Sequence, residues 1–166
     1  AHSFDIRERI SFYEKLCRSH GALLFEDYEE VRGWMDWLMD TLDSMEHPKC
    51  LCHIDANVDN FLFFEDGSVK LLDWEYAGMC DPVMDVSMCA IYSYYNEEDM
   101  ERLFRLYLQR EPSEDELFAL YANAALGGFL WCLWAVYKSI LGDEFGEYTI
   151  IMYRYAKKYY RKLRKL

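Results

Sequence analysis

The chain has 166 residues and a formal charge of -12, long enough to bury the core of one domain without disulfide or metal staples. That charge argues against a nucleic-acid surface, because proteins that bind phosphate backbones displace counterions with clustered Lys and Arg, and it accommodates small cationic partners more easily. Aromatic residues make up 17%, so disorder is not expected, and scattered cysteines with no signal peptide and no long uncharged apolar run predict a cytoplasmic protein with free thiols and no transmembrane segment.

A helical pattern begins almost at once, with Ser3 as its expected cap, Ile6, Ile10, Tyr13 and Leu16 at helical spacing up to about Ser19, and Gly21 as its stop. A helix this soon after Ala1 suggests that the chain starts inside a longer protein. The second helix is predicted from Tyr28 to Met45, with Val31, Trp34, Leu38 and Leu42 on one face and His47-Pro48 as its end. Lys49 to Tyr76 is the only clearly strand-forming stretch, and its centre reads as a hairpin: Phe61 to Phe64, a turn through Glu65-Asp66-Gly67-Ser68, then Val69 to Leu72. From Met84 onward the period is helical again, over Asp85 to Tyr95, Glu97 to Arg110, Glu114 to about Leu141 and Gly146 to the end, with Ser113 and Glu116 forming a capping box. Without repeats or linkers, residues 1–166 read as a single domain, mainly α with a small β-hairpin (α+β).

Two local features have modest readings. Tyr153 to Leu166 carries Arg154, Lys157, Lys158, Arg161, Lys162, Arg164 and Lys165 with no acid, which reads first as a solvated helix face whose cations suit a helix C-terminus, with membrane-surface contact as the lesser alternative. Cys50, Cys52 and His53 lack a second ligand pair at zinc spacing, so buried thiols flanking a strand are expected rather than a metal site.

Folding the hairpin brings two polar loops to one end, His53 to Asn60 before it and Asp73-Trp74-Glu75-Tyr76 after it. Asp55, Asn60 and Asp73 offer oxygen donors only, which suits Mg2+ and a phosphoryl group better than a transition metal. Phosphoryl transfer needs that composition: metal ions bridge the phosphate oxygens, while one carboxylate holds the attacking hydroxyl and accepts its proton. Asp55 takes that second role. Singly, each residue is also ordinary turn chemistry; the order His-x-Asp-x4-Asn, apolar strand, Gly turn, apolar strand, Asp is what points to a kinase-like site.

These motifs resemble the choline and ethanolamine kinases, relatives of the aminoglycoside phosphotransferases among protein-kinase-like folds, and the resemblance runs almost end to end. It implies that His53 to Asn60 is the catalytic loop and Leu72 to Gly78 the metal-binding segment, so that Asp55 would be the catalytic base and Asn60 and Asp73 would hold Mg2+ and, through it, ATP. An aspartate placed like Asp85 braces the catalytic-loop backbone in such folds, so Asp85 and His53 are expected as structural neighbours of the site. Trp131 and Trp134 fall on one helix face, and paired indoles bind a quaternary ammonium through cation-π attraction. Two tryptophans at this spacing more often fill a core; the family's W-x-x-W followed by E-F-G, here Glu144-Phe145-Gly146, favours a choline site. Tyr76, Tyr92, Tyr148 and Tyr153 are candidates to complete it, with Glu75 and Asp55 as nearby charge. Animal choline kinases have an acid near the position of Tyr92 and a tyrosine near Ile150, so those parts of their cation site do not carry over.

No glycine-rich loop and no strand lysine precede His53, the parts with which kinases cover and hold the ATP phosphates. The chain is therefore expected to be the C-terminal, catalytic and substrate-binding lobe of a kinase-like fold, lacking the N-terminal nucleotide-binding lobe, inactive alone and prone to dimerise through the face so uncovered. The parent reaction implied is ATP-dependent phosphorylation of choline to phosphocholine. The alternatives are an aminoglycoside or other amino-alcohol phosphotransferase, and a non-catalytic choline-binding pseudokinase module.

Overall fold

The computed structural model describes residues 2–22, 25–46 and 48–165. Helices α1 (Ile6–Ser19), α2 (Tyr28–Asp43), α3 (Val83–Tyr92), α4 (Glu97–Leu108), α5 (Glu114–Ile140) and α6 (Tyr148–Leu163) dominate. Strands β1 (Cys50–Cys52), β2 (Phe61–Phe63), β3 (Val69–Leu71) and β4 (Gly78–Cys80) form two antiparallel pairs, β1 with β4 and β2 with β3. Contacts divide the chain into two compact units, Ala1–Phe4 with His47–Asn123 and Asp5–Glu46 with Ala124–Leu166.

In the first unit the expected hairpin is present, with Phe61 opposite Leu71 and Phe63 opposite Val69, each strand one residue shorter than the pattern implied. The second ribbon was not anticipated: β1 meets β4 with Cys50 opposite Cys80 and Cys52 opposite Gly78. Three-residue strands have too few positions for a period to show, and their partners lie nearly thirty residues apart. Ser3 is not the cap of α1; it is drawn into an extended bridge with Met79, and Asp5 caps instead, its carboxylate accepting from the Arg7 and Glu8 N–H groups at 2.8 and 3.2 Å. That seam requires Gly78, since a β-carbon there would lie 2.8 Å from that of Phe4. α3 starts at Val83, two residues earlier than expected, where Asp81 accepts the Val83 N–H at 2.9 Å. The expected capping box forms reciprocally: Ser113 N–H donates to Glu116 at 2.8 Å, and Glu116 N–H donates to the Ser113 hydroxyl at 3.2 Å. Ile54, Met88, Ile91, Met100, Phe104 and Leu120 are fully buried.

In the second unit α2 buries Tyr28, Val31, Met35, Leu38 and Met39, while Trp34 and Leu42 are only half-buried on the flank. The 3.6-residue period therefore centres one position beyond the expected stripe. α2 ends at Asp43, and His47, expected to terminate it, lies outside the described residues. α6 begins at Tyr148 because Gly146, with φ +54°, has left the helical region. α5, shared between the units, contains an 18-residue window of mean hydropathy 1.5, long and apolar enough to cross a membrane, yet 83% of that window is buried inside the structure. A helix apolar all round is how a central core helix reads.

Candidate active site

The site in the first unit is built from Asp85 upward. From the first turn of α3 its carboxylate accepts the His53 N–H at 2.8 Å and the Ile54 N–H at 2.7 Å. Two charge-assisted bonds to consecutive amides hold Ile54 at φ +73°, a conformation that costs a β-branched residue free energy, while its side chain is fully buried. His53 is 1% exposed; its Nε2–H donates to the Leu72 carbonyl at 2.6 Å, and its ring stands edge-on to Trp74 at 4.8 Å. Leu72 N–H in turn donates to the Asn60 carbonyl at 2.8 Å. Both loops are thus stitched together at Leu72, and Asp73 follows at once, exposed and at φ +58°.

Asn57 caps the short 3-10 turn Val58–Asn60 that delivers Asn60. The Asn60 amide nitrogen donates to the Asp55 carbonyl at 2.9 Å and to its carboxylate Oδ2 at 3.2 Å. With the nitrogen so engaged, the Asn60 amide oxygen remains as an acceptor, and the bond to half-buried Asp55 takes its Oδ2. Asn60 and Asp73 fit Mg2+ as hard oxygen donors. Among the described residues no group of three or more His, Cys, Asp or Glu converges; one amide and one carboxylate oxygen are the kind of sparse donor set that fits Mg2+, which usually keeps water and phosphate in its remaining positions.

The thiols beside this loop stay protonated at neutral pH. Cys52 is buried while Cys50 is exposed, their sulfurs 3.7 Å apart, so both sit within a strand and only one of the pair is buried as expected. Desolvation, reinforced by the neighbouring Cys52, pushes the Cys50 thiol up to about 11, and the bond to Cys80 together with burial pushes Cys52 further.

The other candidates divide by unit. Glu75 is exposed, Tyr76 half-buried and Tyr92 9% exposed in the first unit. In the second, Trp131 is 3% exposed and meets the half-buried Trp134 edge-on at 5.8 Å. Phe145 packs on Trp134 at 5.0 Å and lies 6.2 Å from Tyr148, making one row of rings. Phe145 joins the site candidates, its signal in the sequence being its place after Glu144, and Trp74 braces His53. Tyr153 stands apart from that row, stacked on Phe25 at 3.9 Å with its hydroxyl donating to Asp27 at 2.9 Å. Burial and that carboxylate hold the Tyr153 hydroxyl firmly protonated, and the Lys157 ammonium keeps Asp27 below the usual carboxylate range.

The sequence and the fold both match known proteins. LicA of Haemophilus influenzae is 27% identical over 105 residues, 60% of this chain and 39% of that protein. The crystal structure of choline kinase LicA from Streptococcus pneumoniae superposes with a TM-score of 0.83 at 29% identity, covering 97% of this chain and 56% of that one. A structure of LicA in complex with AMP superposes with a TM-score of 0.81 at 28% identity, covering 97% of this chain and 55% of that one. The chain thus spans between about two fifths and just over half of the length of these three relatives. Residues 4–121 match the model of the phosphotransferase enzyme family, and the chain belongs to that family.

Proposed function

We propose that this protein carries the base-bearing and acceptor-binding part of an ATP-dependent kinase that phosphorylates the hydroxyl of choline. The observation that carries the reading is the pair of bonds from the Asn60 amide to Asp55, which fixes one carboxylate oxygen and leaves the other to take a proton. In the reaction the choline O–H proton passes to Asp55. The freed oxygen bonds to the γ-phosphorus as the bond to the β–γ bridging oxygen breaks, giving phosphocholine and ADP. Bound at Asn60 and Asp73, Mg2+ would supply neutralisation of the phosphate charge. Asp85 keeps the loop in register, and, within the second unit, the half-buried rings of Trp134, Phe145 and Tyr148 are of the kind that attracts a trimethylammonium group, which accepts no hydrogen bond. Likeness to a choline kinase and to a LicA structure holding AMP supports both substrates. Six free cysteines support work in the reducing cytoplasm.

Thermal shift with choline, ethanolamine and kanamycin tests the acceptor. Choline ranking first is the expected result, and kanamycin ranking first overturns it. Ethanolamine is the second reading, favoured by the enclosure of Trp131, which leaves little indole face free, and by the exposed carboxylate of Glu75, which could pair with a primary ammonium.

A further inference from the structure

We propose that Cys50 and Cys52 form a dithiol site for a trivalent arsenical, a soft metalloid compound that bonds to two sulfurs at once. Both residues lie in β1, within the first unit. Alternation along a strand turns residues i and i+2 to the same face, so the two thiols share one side of the ribbon while Leu51, 51% exposed, takes the other. Their sulfurs lie 3.7 Å apart and are not joined in a disulfide.

Access favours this pair over the remaining thiols. Cys17, Cys52, Cys80 and Cys132 are buried, Cys89 is half-buried, and Cys50 is exposed. A reagent arriving from solution therefore meets Cys50 first. The second bond then asks the arsenic to reach no further than the adjoining sulfur of Cys52. Two donors suffice for this chemistry, so the lack of a third convergent ligand among the described residues does not weigh against it.

The chemistry of the thiols selects the ligand. Desolvation and then Cys52 keep Cys50 protonated, the bond to Cys80 and then burial keep Cys52 protonated, and Asp85 opposes a further negative charge at both. Disulfide exchange and the binding of soft metal cations proceed through thiolates, and both are disfavoured here. A trivalent arsenical carrying two hydroxyls condenses with thiols instead. Two S–H bonds and two As–O bonds break, two As–S bonds form and two waters leave. No charge is created, and nothing is oxidised or reduced. Cys52 immediately precedes His53, and its Sγ lies 3.5 and 3.6 Å from the Cys80 and Asp81 carbonyls. Asp81 accepts the Val83 N–H where α3 starts, so the bridged sulfur belongs to the joint of β1, β4 and α3.

The test is intact-mass spectrometry of the protein after treatment with phenylarsine oxide, in buffer with excess glutathione, a monothiol that strips arsenic from a single cysteine but not from a chelating pair. One phenylarsenic group per chain, retained in glutathione and removed by the dithiol dimercaptopropanol, is expected. Cys50→Ala, a change at an exposed position, should weaken retention roughly 100-fold through loss of the chelate, and Cys89→Ala should leave it unchanged, with circular dichroism melting as the folding control for both. No retention in glutathione, retention unaffected by Cys50→Ala, loss in Cys89→Ala, or an adduct mapped by digestion to a pair without Cys52 overturns the proposal.

Discussion

The two loops at the base of the hairpin carry similar polar residues and are held in opposite ways. Residues 53–60 are fastened from inside: His53 and Ile54 are buried, Asp85 receives both their amides, and Asn60 locks Asp55. After the hairpin, Asp73, Trp74 and Glu75 are exposed, fastened chiefly through the two bonds of Leu72 and the bond from the Trp74 indole N–H to the Leu71 carbonyl at 2.9 Å. The carboxylate suited to proton transfer is thus preorganised by the protein interior, which is where fixed geometry lowers a barrier. The carboxylate suited to an ion sits on backbone that a ligand can complete.

Removing the proposed base should break the comparison most visibly. Asp55→Asn keeps an acceptor for Asn60, so the denaturation midpoint should hardly move, while the proposed choline turnover, read in the full-length enzyme, falls about 10²- to 10⁴-fold; a steady-state assay beside a urea melt reads both. Asp85→Ala should act on stability instead, because two buried amides lose their partner, at about 2–4 kcal/mol by chemical denaturation. An Asp85→Ala protein as stable as its parent would remove the distinction between the loops.

Alkali should act next, on buried or desolvated thiols that lie outside both loops. The Cys17 and Cys50 thiols are raised to about 11 in the fold, chiefly by desolvation, so they stay neutral where the unfolded chain's thiols ionise. Stability present at neutral pH is therefore lost as pH climbs from the ordinary thiol range through about 11. Denaturation at pH 7.5 and pH 10.5 checks this, and Cys50→Ser should flatten part of the slope. The smallest effect sharpens the outer loop: Asp73→Gly relieves φ +58° and should stabilise by about 0.5 kcal/mol while abolishing stabilisation by added Mg2+ with ATP. Lost stability in that variant would mean that the side chain, not the backbone, holds the loop.

What the sequence made legible was local. The hairpin, the Ser113–Glu116 box and every helix of more than two turns follow from spacing and turn chemistry within a few residues. What stayed hidden depends on partners far along the chain: β1 with β4, and Ser3 with Met79 in place of capping α1. The buried face of α2 was misjudged for a related reason, since tryptophan weighs heavily in any apolar stripe, yet Trp34 is more useful half-exposed against Tyr160 than enclosed. At the site, residue types announced the chemistry of 55, 60 and 73, but nothing in the pattern disclosed that Leu72 would tie the loops by its backbone, because main-chain bonds leave no trace in side-chain identity. Tyr153 was grouped with the other tyrosines by type alone, and its contact with Phe25 is set by folding.

The strip of chain ahead of α1 also forms a load path. Phe4 N–H donates to the Met79 carbonyl at 3.1 Å, and Met79 N–H donates to the His2 carbonyl at 2.9 Å. Met79 faces Leu51 across the ribbon, and Leu51 lies two residues before His53, where the loop begins. Tension applied at Phe4 would therefore travel through main-chain links to the loop at residues 53–60, crossing no flexible side chain on the way, and the bare α-carbon of Gly78 leaves that coupling no slack.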